Sequence, residues 1–406
     1  MTATEKLPAK AWLIVGLLFV VGLLNYLDRI MVTTMRDSLK EMIAMTDAQF
    51  GLLTSMFLWV YAALSPIGGF LADRFTRSRV IIGSLFAWSA ITWLTAHATT
   101  FNELLVTRAL MGISEACYLP AAVALITDYH RGTTRSLACG IHMSGIMIGS
   151  GLGGLGGWIA EKHGWPHAFN LFGLIGIAYS VVIAFLLRDA PMVKKTAEEQ
   201  PGFFAALNYL FRRRDFLIAI CFWGTLGMVG WSVMGWMPTY LKAKFSLGQG
   251  AAGLSATAYV QTAAFFGVLL GGAWADRWAK TNSRGRILLP AIGLLVAAPA
   301  VLLVANTDVL TVVVCGLFVY GFSRAAADTN MMPILCMVTD VRYRATGYGV
   351  LNFFACAIGG VGIYAGGALR DAQIELDKIF MFAAGGLVLC SLLLLMLKSR
   401  STDVQP

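Results

Sequence analysis

The most constraining feature of this sequence is a series of twelve apolar stretches, each close to the roughly 20 residues that a helix needs to cross a bilayer core. They lie near residues 11–34, 49–72, 80–98, 103–127, 137–160, 167–187, 215–240, 251–274, 287–305, 309–338, 346–369 and 376–397. Only 13% of the 406 residues are charged, whereas a soluble domain carries about 25%. The sequence therefore predicts an all-α integral membrane protein with twelve transmembrane helices.

The longest polar break between the apolar stretches covers residues 188–214 and divides the predicted spans into two sets of six. We therefore predict an N-terminal six-helix bundle at 1–187, a cytoplasmic linker at 188–214 and a C-terminal six-helix bundle at 215–406. Each half contains an even number of spans, so the two halves have the same orientation in the membrane. This arrangement is the parallel repeat that one large class of transporters uses.

Two pairs of segments support an internal duplication. GGFLADRFTRSR at 68–79 recurs as GGAWADRWAKTNSRGR at 271–286, and PAAVALITDYHRGTTR at 120–135 recurs as PILCMVTDVRYRAT at 333–346. The offset of each pair is close to half the chain. The duplication predicts that corresponding loops lie on the same side of the membrane.

The loop charges predict the orientation. The termini and the loops on their side hold 21 Lys and Arg residues, whereas the loops on the other side hold 7. Basic residues accumulate on the cytoplasmic side, so we expect a multi-pass protein of the inner cell membrane with both termini in the cytoplasm. The net charge of +9 then reflects orientation, and we expect the lipid bilayer, not nucleic acid, to surround a monomeric protein.

Six charged residues remain inside the predicted spans. They are Asp28, Arg29, Arg108, Glu115, Arg324 and Asp328. Each costs roughly 2.5–3.5 kcal/mol at the centre of a bilayer, and such residues usually pair with one another or line a transport pathway. Three acids and three arginines make pairing feasible.

The spacing of these charges separates two arrangements. Arg108 and Glu115 are seven residues apart, about 10.5 Å along one helix face, so both can line one cavity without touching. Arg324 and Asp328 are four apart and can pair within one helix. That pair fits two interpretations, an ion pair that joins two spans or a pair of substrate-binding residues.

The chemistry of the charged side chains suggests a coupling mechanism. A buried carboxylate can bind and release a proton, whereas an arginine stays protonated. We therefore hypothesise that Asp28 and Glu115 carry the coupled protons. Arg29 or Arg108 would hold the carboxylate of an anionic substrate.

Further polar side chains in the spans are candidates for the substrate cavity. The candidates are Asn25, Tyr61, Tyr118, His142, Gln261, Asn330 and Asn352, together with the Arg324 and Asp328 pair. Each one alone is more often a hydrogen bond between helices than a ligand contact. We expect two or three of them to contact the substrate. The seven cysteines lie within apolar stretches and form no CxxC pair, so no metal site, resident cofactor or disulfide framework is predicted.

Glycine recurs every four residues in the fifth span, at Gly145, Gly149, Gly153 and Gly157. Small residues on one helix face let a second helix approach closely. A phosphate-binding glycine loop would require a preceding strand, which the apolar pattern does not allow. The glycine stripe therefore predicts a packing surface.

The duplicated ADR loops are candidate gates. An aspartate beside basic residues at the cytoplasmic end of a span can pair with neighbouring helix ends in one state and release them in another. The candidates are Asp73, Arg74, Arg77, Asp276 and Arg277. The same charges also serve to set the topology, and the two roles are compatible.

These motifs resemble the major facilitator superfamily, whose loop between spans 2 and 3 carries a similar GG-x-x-ADR signature followed by basic residues. Within it, NYLDR at 25–29, LWVYAALSPIGG at 58–69 and TRALMGISEACYLP at 107–120 resemble the anion:cation symporters of sugar acids. The resemblance implies that Asp28 and Glu115 take protons. It also matches Arg29, Tyr61 and Arg108 to that family's cavity residues. Ile146 stands where the family often has a substrate-contacting glutamine, so the sugar acid stays undetermined.

Spinster-like lipid transporters are the main alternative. Their first span carries a similar N-Y-x-D-R, and their fourth carries a G-x-x-E-A that residues 112–116 also fit. A drug/proton antiporter is a further alternative, but Ser150 follows Gly149 where the antiporter motif has proline. The sequence therefore favours a proton-coupled symporter of a small organic anion, such as a sugar acid or another monocarboxylate. It is not expected to be an enzyme, and the proton is the coupling ion.

Overall fold

The computed structural model describes residues 9–130, 134–190 and 202–397, apart from the side chains at 9, 66, 68–74, 136, 341 and 345. Every regular element in these ranges is helical, which confirms the predicted class. The helices are α1 (Ala9–Met31), α2 (Arg36–Met42), α3 (Asp47–Arg74), α4 (Arg77–Thr95), α5 (Phe101–Glu115), α6 (Tyr118–Tyr129), α7 (Arg135–Leu152), α8 (Gly154–His163), α9 (Trp165–Leu186), α10 (Phe203–Phe211), α11 (Arg214–Phe245), α12 (Gln249–Ala279), α13 (Gly285–Asn306), α14 (Leu310–Thr329), α15 (Met331–Val338), α16 (Arg344–Asp371) and α17 (Leu376–Met396).

Eleven helical segments of the described residues are long and apolar enough to cross a membrane. The predicted third span coincides with α4, which is not among the eleven. Its first turn carries Arg77 and Arg79, and five serine and threonine side chains on its buried face lower its mean hydropathy further. Its 19 residues still extend about 28 Å, close to the thickness of the hydrocarbon core. Large apolar side chains such as Phe185 and Phe382 are exposed, as expected where lipid chains replace water.

Two of the predicted spans are interrupted by proline. The fourth span divides into α5 and α6 just before Pro120, and the tenth divides into α14 and α15 just before Pro333. A proline ring clashes with the carbonyl four residues earlier, which is Ala116 in one case and Thr329 in the other. The fifth span divides into α7 and α8 at Gly153. Each interruption is a turn of one or two residues in the middle of a span.

The chain forms two compact units. The first unit contains Met1–Met45, Ala63–Lys195 and Gly248–Leu254, and the second contains Thr46–Ala62, Thr196–Leu247 and Ser255–Pro406. Helix α3 therefore begins in the second unit, and α12 begins in the first.

Corresponding helices pair in the same way inside each unit. In the first unit, α1 packs along α7 and α4 packs along α9 and α5. In the second unit, α11 packs along α16 and α13 packs along α17 and α14. Spans 1 and 5, 3 and 6, and 3 and 4 of the first half thus correspond to spans 7 and 11, 9 and 12, and 9 and 10. This shared pairing is what a parallel repeat produces.

The glycine stripe of α7 and α8 forms the packing surface against α1 that the sequence predicted. A Cβ atom at Gly145 or Gly149 would overlap the backbone of Phe19 or Leu23, respectively. The stripe continues at Gly153 against Ile30 and at Gly157 against Thr34. Close approach of the two backbones requires glycine at these positions because any side chain would fill the space that α1 occupies.

Candidate functional site

A buried ion pair joins the first and fourth spans inside the first unit. The Arg29 Nη2 atom donates to the Oε2 atom of Glu115 at 2.7 Å, and both side chains are almost completely buried. The Arg29 guanidinium also donates to the Oδ1 atom of Asn25 at 3.4 Å and lies 4.5 Å from the centre of the Tyr26 ring. The structure thus brings together two of the charged residues that the sequence singled out.

Asp28 lies next to this ion pair but is bound differently. Its Oδ2 atom accepts a hydrogen bond from the Thr92 hydroxyl at 3.2 Å. Its Oδ1 atom is buried and has no hydrogen-bond partner among the described residues. Asp28 is close enough to Glu115 and Arg108 to interact electrostatically with both. A buried carboxylate without an arginine contact is a suitable group for taking up a proton.

Arg108 is the second buried arginine of the first unit. Its Nη2 atom donates to the Thr95 hydroxyl at 3.5 Å, and its guanidinium lies 5.5 Å from the centre of the Phe169 ring. Among the described residues it forms no ion pair, although it interacts electrostatically with Glu115 and Asp28. Neither threonine of α4 was predicted as part of the site. The only sequence signal for Thr92 and Thr95 is a hydroxyl group within an apolar span, which is too common to mark a site.

The interrupted spans give Glu115 and Asp328 equivalent places. Glu115 ends α5 five residues before Pro120, and Asp328 lies five residues before Pro333 near the end of α14. Asp328 Oδ2 pairs with Arg324 Nε at 3.4 Å, which confirms the predicted pairing within one helix. The Arg324 guanidinium occupies the space over Gly230 of α11, where a Cβ atom would overlap it.

Tyr118 and His142 meet at one carbonyl group of α1. The Tyr118 hydroxyl donates to the Leu18 oxygen at 3.2 Å, and the His142 Nδ1 atom lies 3.0 Å from the same oxygen. The two rings contact each other edge to face at 5.9 Å, and Trp88 packs on the other side of Tyr118 at 5.3 Å. This aromatic cluster lies on the same face of α1 as Arg29.

The other predicted cavity residues belong to the second unit. Tyr61 is buried and stacks on Phe57 at a centroid distance of 5.8 Å. The amide of Asn330, between α14 and α15, donates to the Ala326 oxygen of α14 at 2.8 Å. Gln261 and Asn352 are partly exposed. Their roles in binding stay predictions.

The first candidate gate centres on Arg77 at the start of α4. Its guanidinium pairs with Asp128 near the end of α6 and donates to the Ala124 oxygen at 3.2 Å. Beside it, Asp189 accepts hydrogen bonds from the Ser78 amide at 3.1 Å and from the Ser78 hydroxyl at 2.5 Å. The side chains of Asp73 and Arg74, which were also predicted gate residues, lie outside the described residues.

The second candidate gate contains Asp276 at the end of α12. Its Oδ1 atom accepts hydrogen bonds from Nε and Nη2 of Arg286 at 3.1 and 2.8 Å. Arg277 is exposed and forms no ion pair with another described residue. Asp340, which repeats Asp128, pairs with Arg342 at 3.2 Å. Hydrogen bonds from the Arg342 side chain and amide hold the pKa of the Asp340 carboxyl below its ordinary value.

At the opposite ends of the spans, two carboxylates that the sequence analysis did not select bind helix starts. In the second unit, Asp371 accepts hydrogen bonds from the amides of Asp47 and Ala48 at 2.8 and 2.9 Å. In the first unit, Glu161 accepts a hydrogen bond from the Gly250 amide at 2.7 Å. Each carboxylate satisfies free N–H groups at the start of a long helix. Because each carboxylate is more than 80 residues from its partners, no local sequence pattern marks these bonds.

Comparison with known proteins identifies the family. The sequence profile of the Major Facilitator Superfamily matches residues 18–363. The chain belongs to this superfamily. It is therefore a multi-pass membrane transporter and not an enzyme. As predicted, its relatives include anion transporters and Spinster-like proteins.

Two superfamily relatives represent these two branches. The chain is 25% identical over 410 residues to the hexuronate transporter of Bacillus subtilis, a match that covers 97% of this chain and 94% of that protein. It is 28% identical over 314 residues to human protein spinster homolog 1, a match that covers 72% of this chain and 60% of that protein. The chain thus spans less than two thirds of the human relative.

A solved structure shows the same superfamily fold. It is the crystal structure of a bacterial homologue of the human lysosomal transporter Spinster in an inward-facing and unoccupied conformation. The TM-score is 0.77 with 22% sequence identity, and the match covers 96% of each chain. At this identity the likeness establishes the fold.

Proposed function

We propose that this superfamily member is a proton-coupled symporter of a small organic anion, such as a sugar acid or another monocarboxylate. The observation that carries the proposal is the buried cluster of two acids and two arginines in the first unit. Its formal charge is zero, so an anion entering alone would leave an uncompensated charge in a low-dielectric site. Entry of a proton with the anion restores neutrality.

The contacts in the cluster suggest different tasks for the two arginines. Arg29 is already bound to Glu115 at 2.7 Å, so a substrate carboxylate would have to displace that carboxylate. Arg108 forms no ion pair among the described residues, and we therefore assign the substrate carboxylate to Arg108. Asp28, with one carboxylate oxygen unpartnered within the described ranges, is the first proton acceptor. Glu115 is the second proton acceptor, because its carboxylate becomes available for a proton when its bond to Arg29 breaks.

The driving force is sufficient for accumulation. One proton moving inward across about 100 mV supplies about 2.3 kcal/mol, and each unit of pH difference adds about 1.4 kcal/mol. Together these correspond to an accumulation of tens- to hundreds-fold for each proton. In this proposal the bundles 1–187 and 215–406 alternate access to the cluster. Both termini face the cytoplasm, and the charged helix ends at Arg77 and Asp276 act as gates.

A second candidate function is transport of a lysolipid or another amphipathic molecule. The match to human protein spinster homolog 1 and the NYLDR segment at 25–29 support it. Such a substrate requires an apolar path that opens toward the lipid. Four charged side chains in one buried cluster favour a small polar anion. A drug/proton antiporter is the remaining alternative. In that case an acidic exterior would drive export of the substrate.

The test is uptake by the purified protein in liposomes. D-Glucuronate, D-gluconate and sulfoacetate are supplied outside as labelled anions, and lysophosphatidylcholine is supplied in parallel. An acidic exterior is expected to drive accumulation of at least one anion above its external concentration, and a protonophore is expected to abolish it. Movement of the lysolipid alone, or export of the anion under the same gradient, would contradict the proposal.

A further inference from the structure

His142 of α7 has one ring nitrogen occupied and one unoccupied. Its Nδ1 atom lies 3.0 Å from the Leu18 carbonyl oxygen. A carbonyl oxygen can only accept a hydrogen bond, so Nδ1 carries the hydrogen. A buried imidazolium without a carboxylate partner would be costly. The ring is therefore neutral, and its Nε2 atom is a hydrogen-bond acceptor.

The Nε2 atom has no hydrogen-bond partner among the described residues, and the His142 side chain is 0% exposed. Leaving a buried acceptor without a donor costs about 1–3 kcal/mol. Nearly all buried polar groups in proteins have a partner. An unoccupied acceptor in the membrane-embedded core of a transporter therefore points to a donor that arrives with the cargo.

The His142 ring packs on the face of α1 that carries two residues of the charged cluster's first span. Leu18, Gly22, Asn25 and Arg29 follow one another on one face of α1, at the spacing of helical turns. A Cβ atom at Gly22 would lie 3.1 Å from the His142 Cε1 atom. The Nδ1–Cε1 edge of the ring therefore lies along α1 beside Leu18 and Gly22, on the helix face that Asn25 and Arg29 continue.

We infer that His142 Nε2 accepts a hydrogen bond from a hydroxyl group of the substrate, whose carboxylate is held in the arginine cluster. The inference rests on the proposed function and narrows its substrate class to hydroxylated carboxylates. Gly22 and Arg29 are seven residues apart, about 10 Å along the helix, and the Arg29 side chain leans back toward the helix start. Arg108, to which the substrate carboxylate is assigned, interacts with Asp28 and Glu115 beside Arg29, so an interval of this order between ring and cluster suits a polyhydroxy acid of five or six carbons.

The experiment compares two six-carbon monocarboxylates, D-gluconate with its hydroxyls and hexanoate without them. Apparent affinities for the purified protein are obtained from thermal stabilisation against ligand concentration. His142→Asn keeps a donor near the Nδ1 position and removes the acceptor. It is expected to weaken D-gluconate binding about five- to tenfold, the loss of one neutral hydrogen bond, and to leave hexanoate binding unchanged. His142→Gln, which returns an amide oxygen near Nε2, is expected to recover most of the D-gluconate affinity.

Tyr179→Phe is the matched control. The Tyr179 hydroxyl donates to the Leu17 oxygen at 2.9 Å, so this variant also removes a hydrogen bond to an α1 carbonyl but leaves His142 intact. Its ratio of the two affinities is expected to equal that of the wild type. If His142→Asn does not fold, Gly22→Ala provides the second variant, because the added methyl group displaces the ring without changing its chemistry. It is expected to lower the same ratio.

The outcomes separate this inference from the proposed function. An unchanged affinity ratio in a folded His142→Asn protein overturns the inference alone. A shifted pH dependence of uptake with an unchanged ratio would identify His142 as a proton site and also overturn it. If the wild type binds neither carboxylate and is stabilised only by lysophosphatidylcholine, the proposed function fails and the inference fails with it.

Discussion

The Nη2 atom of Arg29 lies 2.7 Å from the Oε2 atom of Glu115, a residue 86 positions further along the chain. This bond joins the first span to the point where the fourth span is interrupted. It neutralises one acid and one arginine of the cluster and leaves Asp28 and Arg108 without an ion-pair contact among the described residues. The division of the cluster into a paired half and an unpaired half is the basis of the predictions on coupling.

The Arg29 and Glu115 pair is expected to behave as a unit in stability measurements. Arg29→Gln or Glu115→Gln leaves one buried charge without its partner, and each is expected to lower the free energy of unfolding by about 3–5 kcal/mol. The double variant is expected to lose less than the sum of the two single losses. Denaturation of the purified single and double variants gives the coupling energy. Additive losses would show that the pair contributes nothing as a pair.

Asp28→Asn is expected to abolish accumulation driven by a pH gradient while retaining exchange of labelled for unlabelled anion. The two activities should differ because exchange needs no net proton movement, whereas accumulation requires a group that binds and releases a proton. Uptake and exchange in the same liposomes measure the two activities. Glu103→Gln is the control, because Glu103 is an exposed capping residue of α5 and glutamine also caps helices. Full accumulation by Asp28→Asn would remove Asp28 from the coupling mechanism.

Gly149→Ala is expected to destabilise the packing of α7 on α1. The new methyl group would overlap the Leu23 carbonyl, which is backbone and cannot rotate away. Overpacking of this kind costs about 1–3 kcal/mol or more. Gly140→Ala in the same helix meets no atom within 4 Å and serves as the control. Thermal unfolding of both variants in detergent checks the prediction, and equal midpoints would contradict it.

Asp371→Ala is expected to loosen the start of α3. The carboxylate accepts hydrogen bonds from the Asp47 and Ala48 amides, and loss of such a cap costs about 0.5–2 kcal/mol. Hydrogen exchange of the peptide that contains these two amides should become faster by up to about 30-fold, the rate equivalent of 2 kcal/mol. Glu375→Ala is the control, since Glu375 makes no side-chain cap at α17. Unchanged exchange in the Asp371 variant would show that water replaces the cap without cost.

Asp340 is expected to make a small, pH-dependent contribution to stability. Its pKa is lowered in the folded protein by hydrogen bonds from Arg342, so the unfolded chain binds the proton more tightly. The contribution is therefore fully present above the ordinary pKa of aspartate and is lost as the pH falls through the lowered value. Asp340→Asn should have a lower thermal midpoint than the wild type at neutral pH, and the difference should vanish on acidification. A difference that persists in acid would assign it to a cause other than the carboxylate charge.

Much of the fold follows from local patterns. Long apolar runs must be helical in a bilayer because every backbone N–H and C=O group needs an internal partner, and this requirement fixed the class without any tertiary information. The pairing of Arg324 with Asp328 was predictable because four-residue spacing brings side chains together on one helix. The glycine stripe was predictable as a packing surface for the same reason of regular spacing. Its partner helix was not, because nothing in α7 specifies α1.

The candidate site was predictable as a set of residues but not as an arrangement. Charges at Asp28, Arg29, Arg108 and Glu115 are conspicuous in apolar spans because each is costly there. The pairing of arginines with acids depends on the rotation of the helices and on the interruption before Pro120. The spacing of residues along the chain predicts neither of these two features. Thr92 and Thr95 were overlooked because single hydroxyl residues in a span are common and inexpensive.

The sequence by itself determined that this chain is a membrane-embedded helical transporter with an internal repeat and a buried, electrically neutral set of charges. These features are predictable because the length of the apolar segments, the charges of the loops and the repeat are visible along the sequence without knowledge of any tertiary contact. Only the tertiary structure decided that Arg29 binds Glu115, that Arg108 forms no ion pair among the described residues, and that His142 presents one acceptor along α1. Those facts depend on contacts between helices that are far apart in the chain. The packing of entire helix faces against each other determines which side chains make these contacts.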